Sequence, residues 1–318
     1  MSEKKIIAVV GATGAQGGGV ARAILEDGQS SFRVRAITRN PASDNAQALA
    51  SLGAEVVQAD LDDQASLEEA FSGAHGVFGI TNFWEHFSVE KEKAQARNIA
   101  QAAKVAGVNH VVWSTLEDTR NWVPLEDDRM PTLHGAFKVP HFDGKGESNA
   151  FFAEAGVPTT NLLTSFYWET LIYFGMGPQR GEDGRLTFNL PMGDRKLPGI
   201  AVEDIGRAAY GIFKQGEEFV GKTVGIAGQH LSGAEMAEAL SAAFGEPVQY
   251  NAVPFDVYRG LGFDGADDLG NMFQFNHDFE DYFRGARPTD QTRALNPKLG
   301  GFSEWLAANK HRIPVDPA

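Results

Sequence analysis

The stretch from Lys4 to Leu25 constrains the fold of this chain more than any other. An apolar run, Lys4–Val10, is typical of a buried strand, the glycine-rich run Gly11–Gly17 follows at once, and Val20–Leu25 has the composition of a helix. Glycines let the backbone approach a phosphate closely, and the positive end of a helix dipole faces it. The pattern predicts binding of a dinucleotide pyrophosphate, although its spacing, Gly-x-x-Gly-x-x-Gly, differs from the standard Gly-x-Gly-x-x-Gly.

Composition excludes several classes of protein. The chain has 318 residues, no cysteine and a formal net charge of −14 at pH 7. Without cysteine there are no disulfides, thiolate nucleophiles or cysteine metal sites, and the histidines show no metal-ligand spacing, so we expect no metal. The negative charge argues against direct binding of nucleic acid. No apolar run approaches the ~18 residues of a membrane span, and none is typical of a signal peptide, so we expect a cytoplasmic protein with no membrane association.

Strands and helices are predicted to alternate through the first half of the chain. Further strands are predicted at 32–38, 54–59, 76–80, 110–113 and 159–164, with helices at 47–52, 64–71, 89–105 and 142–155. This order is the signature of an α/β fold with a Rossmann-type doubly wound parallel sheet. We predict a dinucleotide-binding domain at 1–158, with strand 159–165 returning to its sheet. A smaller mixed α/β region at 166–318 would bind substrate or partner, and some of its segments would pack back on the first domain.

Polar residues follow several of these strands, at the edge where such sheets bind ligands. The second strand ends in Thr38 and Arg39, where an enzyme that prefers NAD(H) would carry an acid. A guanidinium can pair with a 2′-phosphate through two hydrogen bonds, so Arg39 favours NADP(H) as the cofactor over NAD(H). The alternative is that Arg39 is a solvated surface arginine.

Several motifs together resemble the NmrA-like family, an atypical branch of the short-chain dehydrogenase/reductase superfamily, and the likeness is closest to its NADP(H) redox sensors. The motifs are the glycine run, Thr38–Pro41, Thr81–Glu85, His141–Lys145, Asn271–Phe273, and Leu295–Pro297 with Phe302–Leu306. The resemblance covers nearly the whole chain. One departure is that Ala42 and Ser43 stand where close relatives carry basic residues, which implies a weaker preference for NADP(H).

The resemblance implies a set of cofactor contacts, which no spacing argument supplies. They are Gly11, Thr13, Gly14, Ala15, Gln16, Gly17, Arg39, Asn40, Asp60, Leu61, Thr81, Asn82, Phe83, Lys145, Tyr167, Trp168, Glu169 and Thr170. Asp60 and Leu61 would lie beside adenine, Lys145 near the nicotinamide ribose, and the stretch from Tyr167 to Thr170 beside the nicotinamide.

The catalytic apparatus is incomplete. Reduction of a carbonyl needs a proton donor, which the superfamily supplies from Tyr-x-x-x-Lys on one helix face. Here that position contains His141 and Lys145, so the lysine is present and the tyrosine is absent. His141 is a candidate proton donor because imidazole titrates near neutrality, and its alternative role is packing. Lys145 is a candidate acid–base group, and its alternatives are a ribose contact or a surface position.

Two main functional interpretations remain open from the sequence. The first is an NADP(H)-binding redox sensor that acts on a protein partner through cofactor occupancy, with the irregular segment 116–137 as its candidate switch. The second is an NADPH-dependent reductase of a quinone, an enone or a related apolar carbonyl, with Lys145 as the acid–base group. A third, weaker interpretation is a binding domain with residual cofactor affinity. The assembly state is open, a homodimer included.

Overall fold

The computed structural model describes residues 3–315. The strands are β1 (Lys5–Val9), β2 (Phe32–Thr38), β3 (Glu55–Gln58), β4 (Gly76–Gly79), β5 (His110–Thr115), β6 (Thr159–Leu163), β7 (Phe166–Tyr167), β8 (Gln179–Arg180), β9 (Leu186–Asn189), β10 (Lys196–Ile200), β11 (Thr223–Gly225), β12 (Gln229–Ser232) and β13 (Val248–Asn251).

The helices follow the same chain order. They are α1 (Ala15–Leu25), α2 (Asp44–Ser51), α3 (Gln64–Phe71), α4 (Val89–Val105), α5 (Pro140–Ala155), α6 (Thr170–Tyr173), α7 (Val202–Gln215), α8 (Gly233–Phe244), α9 (Phe255–Arg259), α10 (Ala266–Asp278), α11 (Glu280–Gly285), α12 (Thr289–Leu295) and α13 (Phe302–Asn309). Short 3₁₀ helices lie at Phe83–Glu85, Thr119–Asn121, Gly216–Phe219 and Lys310–Arg312. Among the helices described, none is long and apolar enough to cross a membrane.

The described residues divide into two compact units that are discontinuous along the chain. The first unit comprises the residues up to Asp118, His141–Thr164 and Glu203–Val224. The second unit comprises Thr119–Pro140, Ser165–Val202 and the residues from Gly225 onward. The domain boundary near residue 158 stays a prediction, because units defined by contacts need not be continuous in sequence.

A seven-stranded sheet forms the centre of the first unit, in the order β11-β6-β5-β4-β1-β2-β3. The pairs from β6 through β5, β4, β1 and β2 to β3 are all parallel, with Val9 opposite both Ala36 and Phe78. The side chains of Ala8 and Val9 point to opposite faces of the sheet and both are fully buried, as expected for a parallel sheet covered on both faces. The predicted doubly wound parallel sheet is confirmed, and the strand order reverses between β1 and β4.

The second unit carries two small sheets and most of the C-terminal helices. One sheet has the order β12-β10-β7, and the other has the order β13-β9-β8. Both mix parallel and antiparallel pairs. Ser232 and Glu235 form a capping box at the start of α8. The expected smaller sheets of mixed strand direction are therefore present, whereas the bounds 166–318 for this region stay a prediction.

Side chains of α10 hold the last part of the irregular segment 116–137, at Arg129 and Pro131, and the adjacent residue Lys138. Asn271 is fully buried and donates from Nδ2 to the carbonyl oxygens of Pro131, at 2.9 Å, and Lys138, at 2.6 Å. Gln274 donates to the carbonyl oxygen of Arg129 at 2.6 Å. Because these bonds fix the path of the segment, the predicted switch would have to break them to move.

Candidate functional site

The glycine loop connects β1 to α1 at the edge where the strand order reverses. Gly11 has a φ of +62°, which a side chain would strain, and a Cβ there would lie 3.3 Å from Ile80 Cγ2 after β4. A Cβ on Gly17 would lie 2.4 Å from the carbonyl oxygen of Gly11 and 2.5 Å from that of Val10. Both glycines are therefore needed for the close approach of helix and strand that shapes this loop.

The N-terminus of α1 is suited to a phosphate group. Its N-cap is Gly14, no side chain caps the helix, and its first turn contains no acidic residue. Gly14 and Ala15 are exposed, whereas Gly17 is buried. The partial positive charge of this 11-residue helix therefore meets solvent, and no carboxylate of its own first turn neutralises it. These residues fit the pyrophosphate of a dinucleotide.

Two side chains of the loop are bonded within the protein. Gln16 is buried and its Oε1 accepts from Ser114 Oγ at 2.8 Å, which ties the loop to the end of β5. The hydroxyl of Thr13 lies 3.4 Å from that of Thr38, and its carbonyl oxygen accepts from Asn45 Nδ2 at 3.1 Å. The cofactor contacts implied for Thr13 and Gln16 stay predictions.

Arg39 follows β2 and pairs with Glu85, which belongs to the 3₁₀ helix after β4. Both side chains are exposed, by 63% for Arg39 and 46% for Glu85. The hydrogen bond to Glu85 raises the pKa of Arg39, and the charges of Glu85, Asp60 and Asp62 add to the effect. The arginine is therefore a permanent cation at the edge predicted to hold the 2′-phosphate.

The neighbouring predicted contacts shape turns at the same ends of the strands. Asn40 accepts from the Ala42 amide at 3.1 Å, and Asp60 accepts from the Asp62 amide at 3.0 Å. The carbonyl oxygen of Leu61 accepts from the side chain of Asn98 on α4 at 2.7 Å. Asn82 is exposed and Phe83 is buried.

Lys145 lies at the centre of a buried polar cluster. Its Nζ is 2.6 Å from Glu92 Oε1, 2.8 Å from the hydroxyl of Thr81 and 3.1 Å from the carbonyl oxygen of Thr81. Thr81 in turn donates to Glu92 Oε1 at 2.5 Å. The side chain of Glu92 is 0% exposed and that of Lys145 is 12% exposed. An ammonium group has three N–H donors, and these three acceptors are enough to satisfy all of them. Groups of the protein itself therefore take up the hydrogen-bonding capacity of Lys145.

His86 borders this cluster. Its Nδ1 accepts from the Ser88 amide at 3.1 Å, which assigns the ring proton to Nε2. Nε2 lies 3.7 Å from Glu92 Oε2, and both atoms are buried without a hydrogen-bond partner among residues 3–315. The second carboxylate oxygen of Glu92 therefore faces a histidine rather than solvent.

His141 is one turn before Lys145 on α5 and is buried in aromatic side chains. Its ring centroid lies 4.7 Å from that of Trp84, 4.8 Å from that of Phe142 and 6.1 Å from that of Phe83. The fold therefore gives His141 a packing role. Its candidate role as a proton donor stays a prediction.

The four residues implied to flank the nicotinamide lie in the second unit, where Trp168 is buried and the other three are half-buried. Trp168 is 1% exposed and packs against Phe302 and Trp305, with ring centroids 5.4 and 6.2 Å away. Glu169 accepts from Trp305 Nε1 at 2.9 Å, and Thr170 donates to the carbonyl oxygen of Tyr167 at 2.7 Å. A cofactor role for these residues stays a prediction.

Glu92 is the functional residue that the sequence interpretation missed. A charged residue on a helix usually faces solvent, whereas the side chain of Glu92 is fully buried. The spacing of Glu92 could have indicated its burial. It lies three residues after Val89 and seven before Ile99, and both of these side chains are buried. It therefore occupies a position on the apolar face of α4. Within the described part of the chain, no cluster of histidine and acidic residues could hold a metal.

Comparisons with known proteins agree with this architecture. The sequence model of the NmrA-like family matches residues 3–306. The NmrA-like family domain-containing oxidoreductase ptmS of Penicillium ochrochloron is 30% identical over 325 residues, covering 95% of this chain and 92% of the relative. The structure of NmrA, a negative transcriptional regulator, in complex with NADP has a TM-score of 0.77 at 24% identity, covering 96% of this chain and 95% of that chain.

A reductase has a similar fold. The Citrobacter sp. triphenylmethane reductase complexed with NADP(H) has a TM-score of 0.73 at 22% identity and covers 95% of this chain and 99% of that chain. At these identities the structural likeness concerns the fold alone, whereas the family match extends over most of the sequence. The chain belongs to the NmrA-like family.

Proposed function

We propose that this protein binds NADP(H) in its first unit and acts as a redox-responsive regulator of a protein partner through cofactor occupancy. The observation that carries the proposal is the engagement of Lys145, whose ammonium group already has three acceptors in Glu92 and Thr81. A lysine held this way positions the chain after β4 and has no donor left for a substrate oxygen.

The binding part of the proposal is supported by the uncapped N-terminus of α1 and by Arg39. Gly11, Gly14 and Gly17 would hold the pyrophosphate, and Arg39 would pair with the 2′-phosphate. When bound, the nicotinamide dinucleotide supplies hydride exchange. The NmrA structures include complexes with NAD and with NADP, so the same fold accommodates both.

The regulatory part depends on the missing tyrosine as well as on Lys145. His141 stands in the tyrosine position, and its ring packs against Trp84. A cofactor that is bound but not turned over can still report on the NADPH supply, provided that its oxidised and reduced forms bind two states of the protein differently. The regulator interpretation therefore requires tight binding without turnover.

A reductase is the second candidate, because a curated relative that aligns with 95% of this chain is named as an oxidoreductase. In this interpretation an apolar carbonyl or quinone would bind near the aromatic side chains of Trp84 and Phe83. Lys145 would have to exchange Glu92 or Thr81 for the cofactor ribose or the substrate.

One experiment separates the two candidates. The affinity for NADPH is measured by calorimetry, and NADPH absorbance is then followed with quinones, enones and aldehydes, for the natural protein and for Lys145→Ala. Lys93→Ala is the matched control, because Lys93 pairs with Glu147 across the same two helices, α4 and α5, in a partly exposed position. Binding without NADPH consumption supports the regulator. NADPH consumption by the natural protein would establish the reductase, and its loss in a Lys145→Ala variant that still binds NADPH, with activity kept in Lys93→Ala, would assign Lys145 to the reaction. Failure of the natural protein to bind NADPH would overturn both candidates.

A further inference from the structure

Glu85 contacts the residue expected to select the cofactor. Its Oε1 pairs with Nη1 of Arg39, from a position 46 residues further along the chain. A 2′-phosphate would approach the same guanidinium, and a carboxylate already bonded there would compete with it. Glu85 has no role in the contacts that the family resemblance implies.

The fold holds Glu85 in place independently of Arg39. Glu85 ends the 3₁₀ helix Phe83–Glu85, which begins four residues after the end of β4. Phe83 is 2% exposed, and Trp84 packs its ring 4.7 Å from that of His141. Because both preceding side chains are packed in the first unit, the carboxylate of Glu85 stays close to the end of β2.

The surroundings of Arg39 are acidic beyond Glu85. Asp60 and Asp62 also act on the guanidinium electrostatically. Hydrogen bonding by Gln95 and Lys91 lowers the pKa of Asp62, so this side chain is ionised near neutral pH. The turn after Arg39 continues with Asn40, Pro41, Ala42 and Ser43 and brings no second cation. A 2′-phosphate bound here would therefore be attracted by one arginine and repelled by the neighbouring carboxylates.

We propose that Glu85 is a specificity-determining residue that competes with the 2′-phosphate for Arg39 and so narrows the preference for NADP(H) over NAD(H). The inference rests on the proposed function, since it requires a dinucleotide at this edge of the sheet. An NAD(H) molecule has no 2′-phosphate and leaves the pair of Arg39 and Glu85 intact. NADP(H) has to separate the pair or share the arginine, and its affinity is lowered to that extent.

The test compares dissociation constants for NADPH and NADH in the natural protein, Glu85→Gln, Arg39→Gln and the double variant. Glu85→Gln is expected to tighten NADPH binding about threefold to tenfold and to leave NADH binding within about twofold. In the Arg39→Gln background the same substitution is expected to change neither constant. The matched control is Glu69→Gln, which removes one negative charge from an exposed position on α3.

The outcomes separate this inference from the proposed function. If neither nucleotide binds the natural protein, the proposed function fails. If both bind and Glu85→Gln leaves the ratio of the two constants unchanged, the proposed function stands and the role of Glu85 is overturned. An equal gain for NADH, a gain that persists without Arg39, or an equal gain in Glu69→Gln would also overturn it, because each points to net charge rather than to competition for the arginine.

Discussion

Two of the glutamate–cation pairs in the first unit, Lys145 with Glu92 and Arg39 with Glu85, differ in almost everything except charge. In the pair of Lys145 and Glu92, the exposed fractions of the side chains are 12% and 0%. In the pair of Arg39 and Glu85, the fractions are 63% and 46%. Both pairs lie close to the chain that follows β4, through Thr81 in one case and the 3₁₀ helix in the other.

The difference in solvent exposure indicates which of the two pairs can respond to a ligand. Water competes with an exposed pair and salt screens it, so a phosphate can replace its carboxylate at little cost. A buried pair has lost its hydration, and removing either partner leaves a charge that nothing else satisfies. Lys145 and Glu92 are therefore suited to hold the site in one geometry, whereas Arg39 and Glu85 are suited to exchange.

The largest effect is expected from removing Lys145. Lys145→Met leaves the buried carboxylate of Glu92 with the Thr81 hydroxyl and without its cation. We expect the free energy of unfolding to fall by about 3 to 5 kcal/mol, measured by urea denaturation at neutral pH. Lys93→Met, which breaks the more exposed pair with Glu147, should lower it by less than about 1 kcal/mol.

A second variant distinguishes lost charge from lost packing. In Lys145→Met combined with Glu92→Gln, no buried charge remains, so most of the lost stability should return. If the double variant is as unstable as Lys145→Met, the charge of Glu92 is not the cause. The contrast between the buried and exposed pairs would then be wrong.

Much of the fold follows from local sequence patterns. The strand at 32–38 and the helices at 64–71 and 89–105 match β2, α3 and α4 residue for residue. These elements have clear periods and local caps, such as Asp63, which accepts from the amides of Ala65 and Ser66 at the start of α3. The doubly wound sheet follows from their alternation.

The pairings between distant side chains could not be predicted in the same way. Glu85 meets Arg39, and Asn271 holds Pro131 from 140 residues away, because of how strands and helices pack. No local period encodes such contacts. Glu92 was missed for a related reason: charge indicated an exposed position, whereas its helical spacing indicated a buried one. When charge and period disagree, the residue is a candidate for a functional role.

A buried histidine, His110, contrasts with both ion pairs. Its burial favours the neutral form of the side chain, so no partner of opposite charge is needed. His110 is 3% exposed, and its Nε2 lies 2.7 Å from the hydroxyl of Thr160, which donates to the carbonyl oxygen of Phe219. Burial lowers the pKa of His110 from 6.5 to about 4. The folded state therefore holds His110 neutral, and the unfolded state binds a proton more readily below pH 6.5.

The stabilisation linked to His110 should be fully present above pH 6.5 and should be lost as the pH falls towards 4. The expected loss is about 3 kcal/mol, measured as the difference in unfolding free energy between these pH values. His110→Asn should flatten this part of the profile. His134→Asn, at an exposed position, should leave the profile unchanged. An unchanged profile in His110→Asn would show that other groups cause the acid instability.

The smallest effect on stability is expected from the exposed pair. Arg39→Ala and Glu85→Gln should each lower the free energy of unfolding by less than about 1 kcal/mol, because water replaces the lost partner. Raising the ionic strength should reduce even this difference, whereas the loss caused by Lys145→Met should change little with salt. Urea denaturation at low and high salt measures both. A loss in Arg39→Ala comparable to that in Lys145→Met would mean that Arg39 is structural, and a 2′-phosphate could not separate it from Glu85 without destabilising the first unit.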